Sequence, residues 1–140
     1  MKSLIYEIIA AAATIDAGGH TILKPFGLTP MTFNILNVLK DGPLSQREIS
    51  DQVIVAASSI TFQVRQLQRK GLIQRRRSDA RTWRVSLTPA GAAARERAER
   101  RMDDILAQIP VDPSLVADAQ AALKEVRRHF PDLAKGGLPA

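Results

Sequence analysis

Three times in this chain a residue able to cap a helix is followed at once by proline: Thr29-Pro30, Thr88-Pro89 and Asp112-Pro113. The pairing is restrictive. The Thr or Asp oxygen accepts an otherwise free N–H of the first helical turn, and proline at the first helical position lacks the N–H that would go unpaired there. A fourth start, Ser45-Gln46-Arg47-Glu48, has the spacing of a capping box, in which Ser and Glu each satisfy a backbone N–H of the other. Stops are equally plain at Asp41-Gly42-Pro43, Gly71, Pro110 and Pro131, where glycine ends a helix or proline cannot continue one. A chain punctuated in this way is mainly helical, with its element ends set before packing is considered.

Apolar spacing fills in the elements. It predicts helices over 3–24, 30–40, 45–53, 57–70, 89–108 and 113–130, and a β-hairpin over 72–87. Gly18-Gly19 lies inside the first helix, costs roughly 1 kcal/mol per Gly relative to Ala, and marks a place for a break. The tail "PDLAKGGLPA" is expected to fray. In the hairpin, Trp83, Val85 and Leu87 alternate with Thr82, Arg84 and Ser86, so one face packs and the other is wet. Ser78-Asp79-Ala80-Arg81 supplies residues that tolerate a tight turn.

Three short helices followed by a hairpin is the order of a winged helix-turn-helix. The helices at 45–53 and 57–70 are separated by only three residues, which holds them at a steep angle and leaves the second free to lie in a DNA major groove. On that second helix Ile60, Val64 and Leu67 recur at helical spacing and face the core. Ser58, Ser59, Thr61, Phe62, Arg65 and Arg69 then face outward or sideways, a composition suited to phosphate and base contacts.

Charge points the same way. Between Thr61 and Arg101 stand twelve Lys or Arg and three acids, whereas the rest of the chain carries eight bases and eleven acids. A basic block on an otherwise mildly acidic chain suits a polyanionic partner. The hairpin reads as a wing on a phosphate ridge. Arg75, Arg76, Arg77 and Arg84 are placed to neutralise phosphates, while Arg81 at the tip is placed to enter the narrow minor groove.

From Gly27 to about Arg101, "GLTPMTFNILNVL", "GPLSQREISDQV" and "LQRKGLIQRRRSDARTWRVSLTPAG" follow one another, and in this order they resemble the MarR family of bacterial winged-helix transcriptional regulators. The last segment is the most specific. The resemblance implies an obligate homodimer whose first and last helices interlock across the two chains, with two winged modules on a pseudo-palindromic operator. It also implies that the Asp79 carboxylate orients the Arg81 guanidinium, and that Ser58 and Thr61 approach bases or phosphates. Many relatives respond to small aromatic acids, which here implies an aromatic or phenolic effector in a crevice near His20, Phe26, Met31 or Arg47. The chain departs from the family pattern at Ile54, often Gly, at Ala56, commonly a capping Ser, and at Ala57, commonly basic. Phe62 and Gln63 also depart, being apolar and polar where the reverse is usual.

The outer helices fit the dimer on their own residues. Leu115, Val116, Ala119, Ala122, Leu123, Val126 and Phe130 form one apolar stripe, and Leu4, Ile5, Ile8, Ile9 and Ile15 another. A winged module this small leaves little within one chain to cover them. The predicted fold class is therefore mainly α with a small β-hairpin wing (α+β), a winged helix-turn-helix flanked by N- and C-terminal dimerisation helices. Residues 1–26 form the first of these, 27–88 the DNA-binding module, and 89–140 the closing dimerisation helices and tail, all in one compact domain.

Other classes find little support. The chain has no Cys, which removes disulfides, thiolate metal sites and cysteine-based redox sensing. His20 and His129 are too few and too far apart in sequence for a metal site, and no cofactor is expected. No G-x-S-x-G, P-loop or His-centred nucleophile pair is present, so the chain is not expected to be an enzyme. The apolar N-terminal run is interrupted by Glu7 and has helical period; it reads as a mature amphipathic helix of a cytoplasmic protein, with no membrane partner. The rival class is a winged-helix protein–protein interaction module with weak or lost DNA binding, for which Phe62 and Ala56 are the evidence.

Overall fold

The computed structural model describes residues 2–53, 55 and 57–129. Ile54, Ala56, Phe130, Pro131 and the tail lie outside the described residues, as do the side chains of Leu4, Ile5, Val126 and His129. The elements follow the predicted order: α1 Lys2–Leu23, a 3-10 turn Lys24–Phe26, α2 Pro30–Val38, α3 Gln46–Val53, α4 Ala57–Arg69, β1 Ile73–Arg77, β2 Trp83–Leu87, α5 Pro89–Leu106 and α6 Pro113–His129.

Each predicted cap is made. Thr29 Oγ1 accepts from the Thr32 N–H at 3.2 Å, and the Thr32 hydroxyl accepts from the Thr29 N–H at 2.8 Å. The Ser45–Glu48 box closes in both directions, at 3.1 Å and 2.7 Å. Thr88 Oγ1 accepts from the Gly91 N–H at 3.0 Å, and Asp112 Oδ1 from the Ser114 N–H at 2.9 Å. Such bonds satisfy helix N–H groups that have no partner within the helix.

α1 is not broken at Gly18-Gly19. A Cβ on Gly19 would lie 3.1 Å from Pro30 Cγ, so the bare glycine lets α1 pass close to the start of α2. Close approach here offsets the helix propensity that glycine forfeits.

The core gathers Leu23, Phe33, Ile35, Leu36, Ile49, Ile60, Val64, Leu67, Ile73, Val85 and Ala98 from α1, α2, α3, α4, the hairpin and α5, with Leu28 from the segment before α2. β1 and β2 pair antiparallel with Ile73 opposite Leu87, Arg75 opposite Val85 and Arg77 opposite Trp83. Leu44 adds a single rung that the sequence did not announce, exchanging backbone hydrogen bonds with Val85 at 3.0 and 2.7 Å. A one-residue rung has no period to read.

The root of the hairpin is a tight junction. The Thr88 hydroxyl donates to the Gly71 carbonyl at 2.6 Å, and the Thr88 N–H donates to the Leu72 carbonyl at 3.1 Å. A Cβ on Gly91 would fall 1.8 Å from the Leu72 carbonyl oxygen, a separation no side chain can occupy. α5 thus begins seated directly on the start of β1.

The predicted packed face of β2 needs one correction. Val85 is 1% exposed and Leu87 half-buried, but Trp83 is 46% exposed. At the outer end of the hairpin the residue facing Trp83 is Arg77 rather than core. α6 packs extensively against no other described element. Among the described residues, no helix is long and apolar enough to cross a membrane.

Candidate nucleic-acid interface

The turn between α3 and α4 is held from inside. The Ser50 hydroxyl, buried, donates to the Val55 carbonyl at 2.7 Å. With Ile60, Val64 and Leu67 buried, α4 turns Ser58, Ser59, Phe62, Arg65 and Arg69 to solvent as predicted, and Ala57 with them. Thr61 differs. It is half-buried, accepts from Gln46 Nε2 at 3.2 Å, and donates to the Ala57 carbonyl at 3.2 Å. Its hydroxyl joins α3 to α4 instead of standing free. At the other end of α4, Lys70 Nζ donates to the Gly27 carbonyl at 2.6 Å.

In the wing turn, Asp79 Oδ1 accepts from the backbone N–H groups of Arg81 and Thr82, both at 2.8 Å. This corrects the expectation that Asp79 holds the Arg81 guanidinium. The carboxylate fixes the turn's backbone, and those two N–H donors, Arg81's first, hold its carboxyl below the usual range. The Arg81 side chain is exposed and has no hydrogen-bond or ion-pair partner among the described residues. The Arg77 guanidinium donates to the Ala80 carbonyl.

Trp83 proves to be a platform. The Arg75 and Arg77 guanidinium carbons lie 5.2 and 5.6 Å from its ring centroid, within the range of cation–π attraction. The register explains this, because residues 73, 75 and 77 share a face with 87, 85 and 83. That face is apolar at the root and cationic at the tip. Arg75 is half-buried, and its Nε has no partner.

The opposite face carries Arg76 across from Arg84. Arg84 is not a free cation. Its guanidinium lies 2.7 Å from the Glu48 carboxylate on α3. The Glu48 carboxyl is held low, first by the Ser45 N–H and further by the charge of Arg84. Arg76 donates weakly to Gln74 Oε1 at 3.4 Å and is otherwise exposed. α3 is thus a hub, with Gln46 reaching α4 and Glu48 reaching the wing. Both residues were missed as site-forming by sequence, since a capping Glu shows nothing of its second partner.

The four effector candidates are not brought together. His20 is exposed on α1, 3.6 Å from Asp16. Phe26 and Met31 are partly buried against the core. Arg47 is exposed on α3 and lines a cavity of about 430 Å³ with Ser50, Asp51, Ala57 and Thr61, which none of the other three candidates shares.

Residues 26–81 match the MarR family. The uncharacterized HTH-type transcriptional regulator YwoH of Bacillus subtilis is 30% identical over 132 residues, 92% of this chain and 91% of that protein. The chain belongs to the MarR family. As a MarR-family transcriptional regulator it is not an enzyme. Solved structures share its fold, among them the following two. A mutant MarR from E. coli complexed with operator DNA is 24% identical with a TM-score of 0.78, over 89% of this chain and 93% of that one. CouR from Rhodococcus jostii RHA1, bound to p-coumaroyl-CoA, is 18% identical with a TM-score of 0.78, over 98% and 95%.

Proposed function

We propose that this MarR-family regulator acts in the cytoplasm as a homodimeric repressor, binding a pseudo-palindromic operator in double-stranded DNA and released by a small aromatic or phenolic ligand. The observation that carries the reading is the linkage of two cationic elements through one helix. Gln46 ties α3 to the recognition helix α4, and Glu48 ties α3 to the wing through Arg84. A duplex can then meet the outer face of α4 in its major groove while the exposed Arg81 reaches the adjacent minor groove. Arg65, Arg69, Arg76 and Arg77 supply the phosphate contacts, with Ser58 and Ser59 at the start of α4. Arg84 acts as a positioning residue, and Arg75 works from the Trp83 platform.

Dimerisation is supported by the apolar surface that one chain leaves open. Tyr6, Ile9 and Ile15 on α1 and Leu115, Val116 and Leu123 on α6 are all exposed. A second copy would cover them and supply the two-fold axis that a palindrome requires. An aromatic effector is supported by CouR with its p-coumaroyl-CoA, and Phe26 and Met31 are the better-placed candidates because both are partly buried near the α1–α2 junction.

The test is selection of bound sites from a random double-stranded DNA pool at two salt concentrations, with and without candidate aromatic acids. A palindromic site with affinity falling steeply with salt is expected. Absence of binding at low salt would reject the reading in favour of a protein-interaction module.

A further inference from the structure

On α4, Ser58, Phe62, Arg65 and Arg69 recur at i, i+4, i+7 and i+11, directly across the helix from buried Ile60, Val64 and Leu67. That spacing makes one line along the crest of the helix. Phe62 stands on the crest and is 58% exposed. Its ring meets no aromatic or cationic partner among the described residues. The other large exposed apolar side chains lie on α1, on β2, and from the end of α5 onward, so Phe62 is an isolated apolar point on a polar helix.

Its neighbours narrow what can cover it. Arg65 and Arg69 follow it on the same line, and the wing adds further cations, so the facing surface is a polyanion. In the major groove of DNA, base edges present donors, acceptors and one apolar group, the thymine 5-methyl. We propose that Phe62 is a specificity-determining residue that packs on the 5-methyl of a thymine in each half-site, giving this protein an operator preference built on apolar contact. The inference rests on the DNA-binding reading above and adds to it what one residue recognises.

The experiment uses the full chain and the Phe62→Ala variant, whose fold is checked by circular dichroism and urea denaturation. A bound site is first selected from a random pool with the wild-type protein. Each thymine of that site is then replaced in turn by deoxyuridine, which removes only the methyl, and affinity is measured for both proteins. One thymine per half-site is expected whose methyl contributes about fourfold to wild-type affinity, the effect of one buried carbon, and contributes nothing with Phe62→Ala. The proposal is overturned if no thymine methyl matters, or if its removal weakens both proteins equally. It is also overturned if Phe62→Ala selects the same site with the same affinity, which would turn the ring toward a protein partner. Failure of the wild-type chain to select any site is a separate result, and it would remove the DNA-binding reading itself.

Discussion

The Arg84 guanidinium lies 2.7 Å from the Glu48 carboxylate, joining β2 to the first turn of α3 across 36 residues of sequence. The same carboxylate closes the Ser45 capping box. One group therefore caps a helix and ties the wing to it.

Acid should loosen this arrangement. The Glu48 and Asp79 carboxyls are both held below their ordinary range, so the unfolded chain binds protons more readily than the folded one. The stability they contribute is present above about pH 4 and is lost as pH falls through their folded values. The urea midpoint is expected to drop below about pH 4, and less steeply for Asp79→Ala than for wild type, once Asp79 no longer titrates. A flat midpoint, or carboxyls that titrate at ordinary values by NMR, would contradict this.

On the wing, substitutions at two positions separate contact from positioning. Arg81→Ala removes an exposed guanidinium that supports nothing in the fold, so operator affinity is expected to weaken by about 1–3 kcal/mol with stability unchanged. Trp83→Ala frees Arg75 and Arg77 from their ring, and affinity is expected to fall while Trp83→Phe retains most of it, since either ring holds a cation. Equal losses in Ala and Phe would show that the ring face is not what matters.

Gly91→Ala sets two effects against each other. Alanine gains about 1 kcal/mol in helix propensity, yet its Cβ would lie 1.8 Å from a backbone oxygen that has nowhere to go. Overpacking wins, with a net loss of about 1–3 kcal/mol expected in urea denaturation. An unchanged or raised midpoint would show that α5 does not rest on Leu72.

The apolar stripes predict assembly. Light scattering at micromolar concentration is expected to give twice the 15.3 kDa of one chain. Replacing both Leu115 and Leu123 by Lys should yield a monomer whose winged module keeps its helical spectrum, because neither side chain enters the core. A wild-type monomer would refute the proposed interface.

Much of this molecule could be read from sequence because its signals are local. A cap such as Thr88-Pro89 needs only its own first turn, and the spacing of Ile60, Val64 and Leu67 needs only one helix. What escaped involves partners far apart in the chain. Leu44 pairs with Val85, Gln46 with Thr61, and Glu48 with Arg84, and no local pattern announces any of these. Trp83 was misjudged because strict alternation assigns a residue to a face without saying how far the core extends beneath it. Asp79 was misjudged by analogy, its backbone partners being nearer than the guanidinium. The "KGL…LTPAG" signature, in contrast, has a physical basis in the structure. Gly71, Leu72, Thr88 and Gly91 are the four residues of the wing's root.

That root divides the hairpin into a part that cannot change and a part that can. Where Gly91 rests on Leu72, an added methyl has no room. Among the described residues, the loop from Ser78 to Thr82 is secured by its own bonds, through Asp79 and Ser78, and by the adjoining Arg77 guanidinium on the Ala80 carbonyl, with none to the body of the fold. Drift in length and composition can therefore accumulate at the far end without disturbing the body, so descendants of such a protein can acquire new DNA targets while keeping the same anchorage.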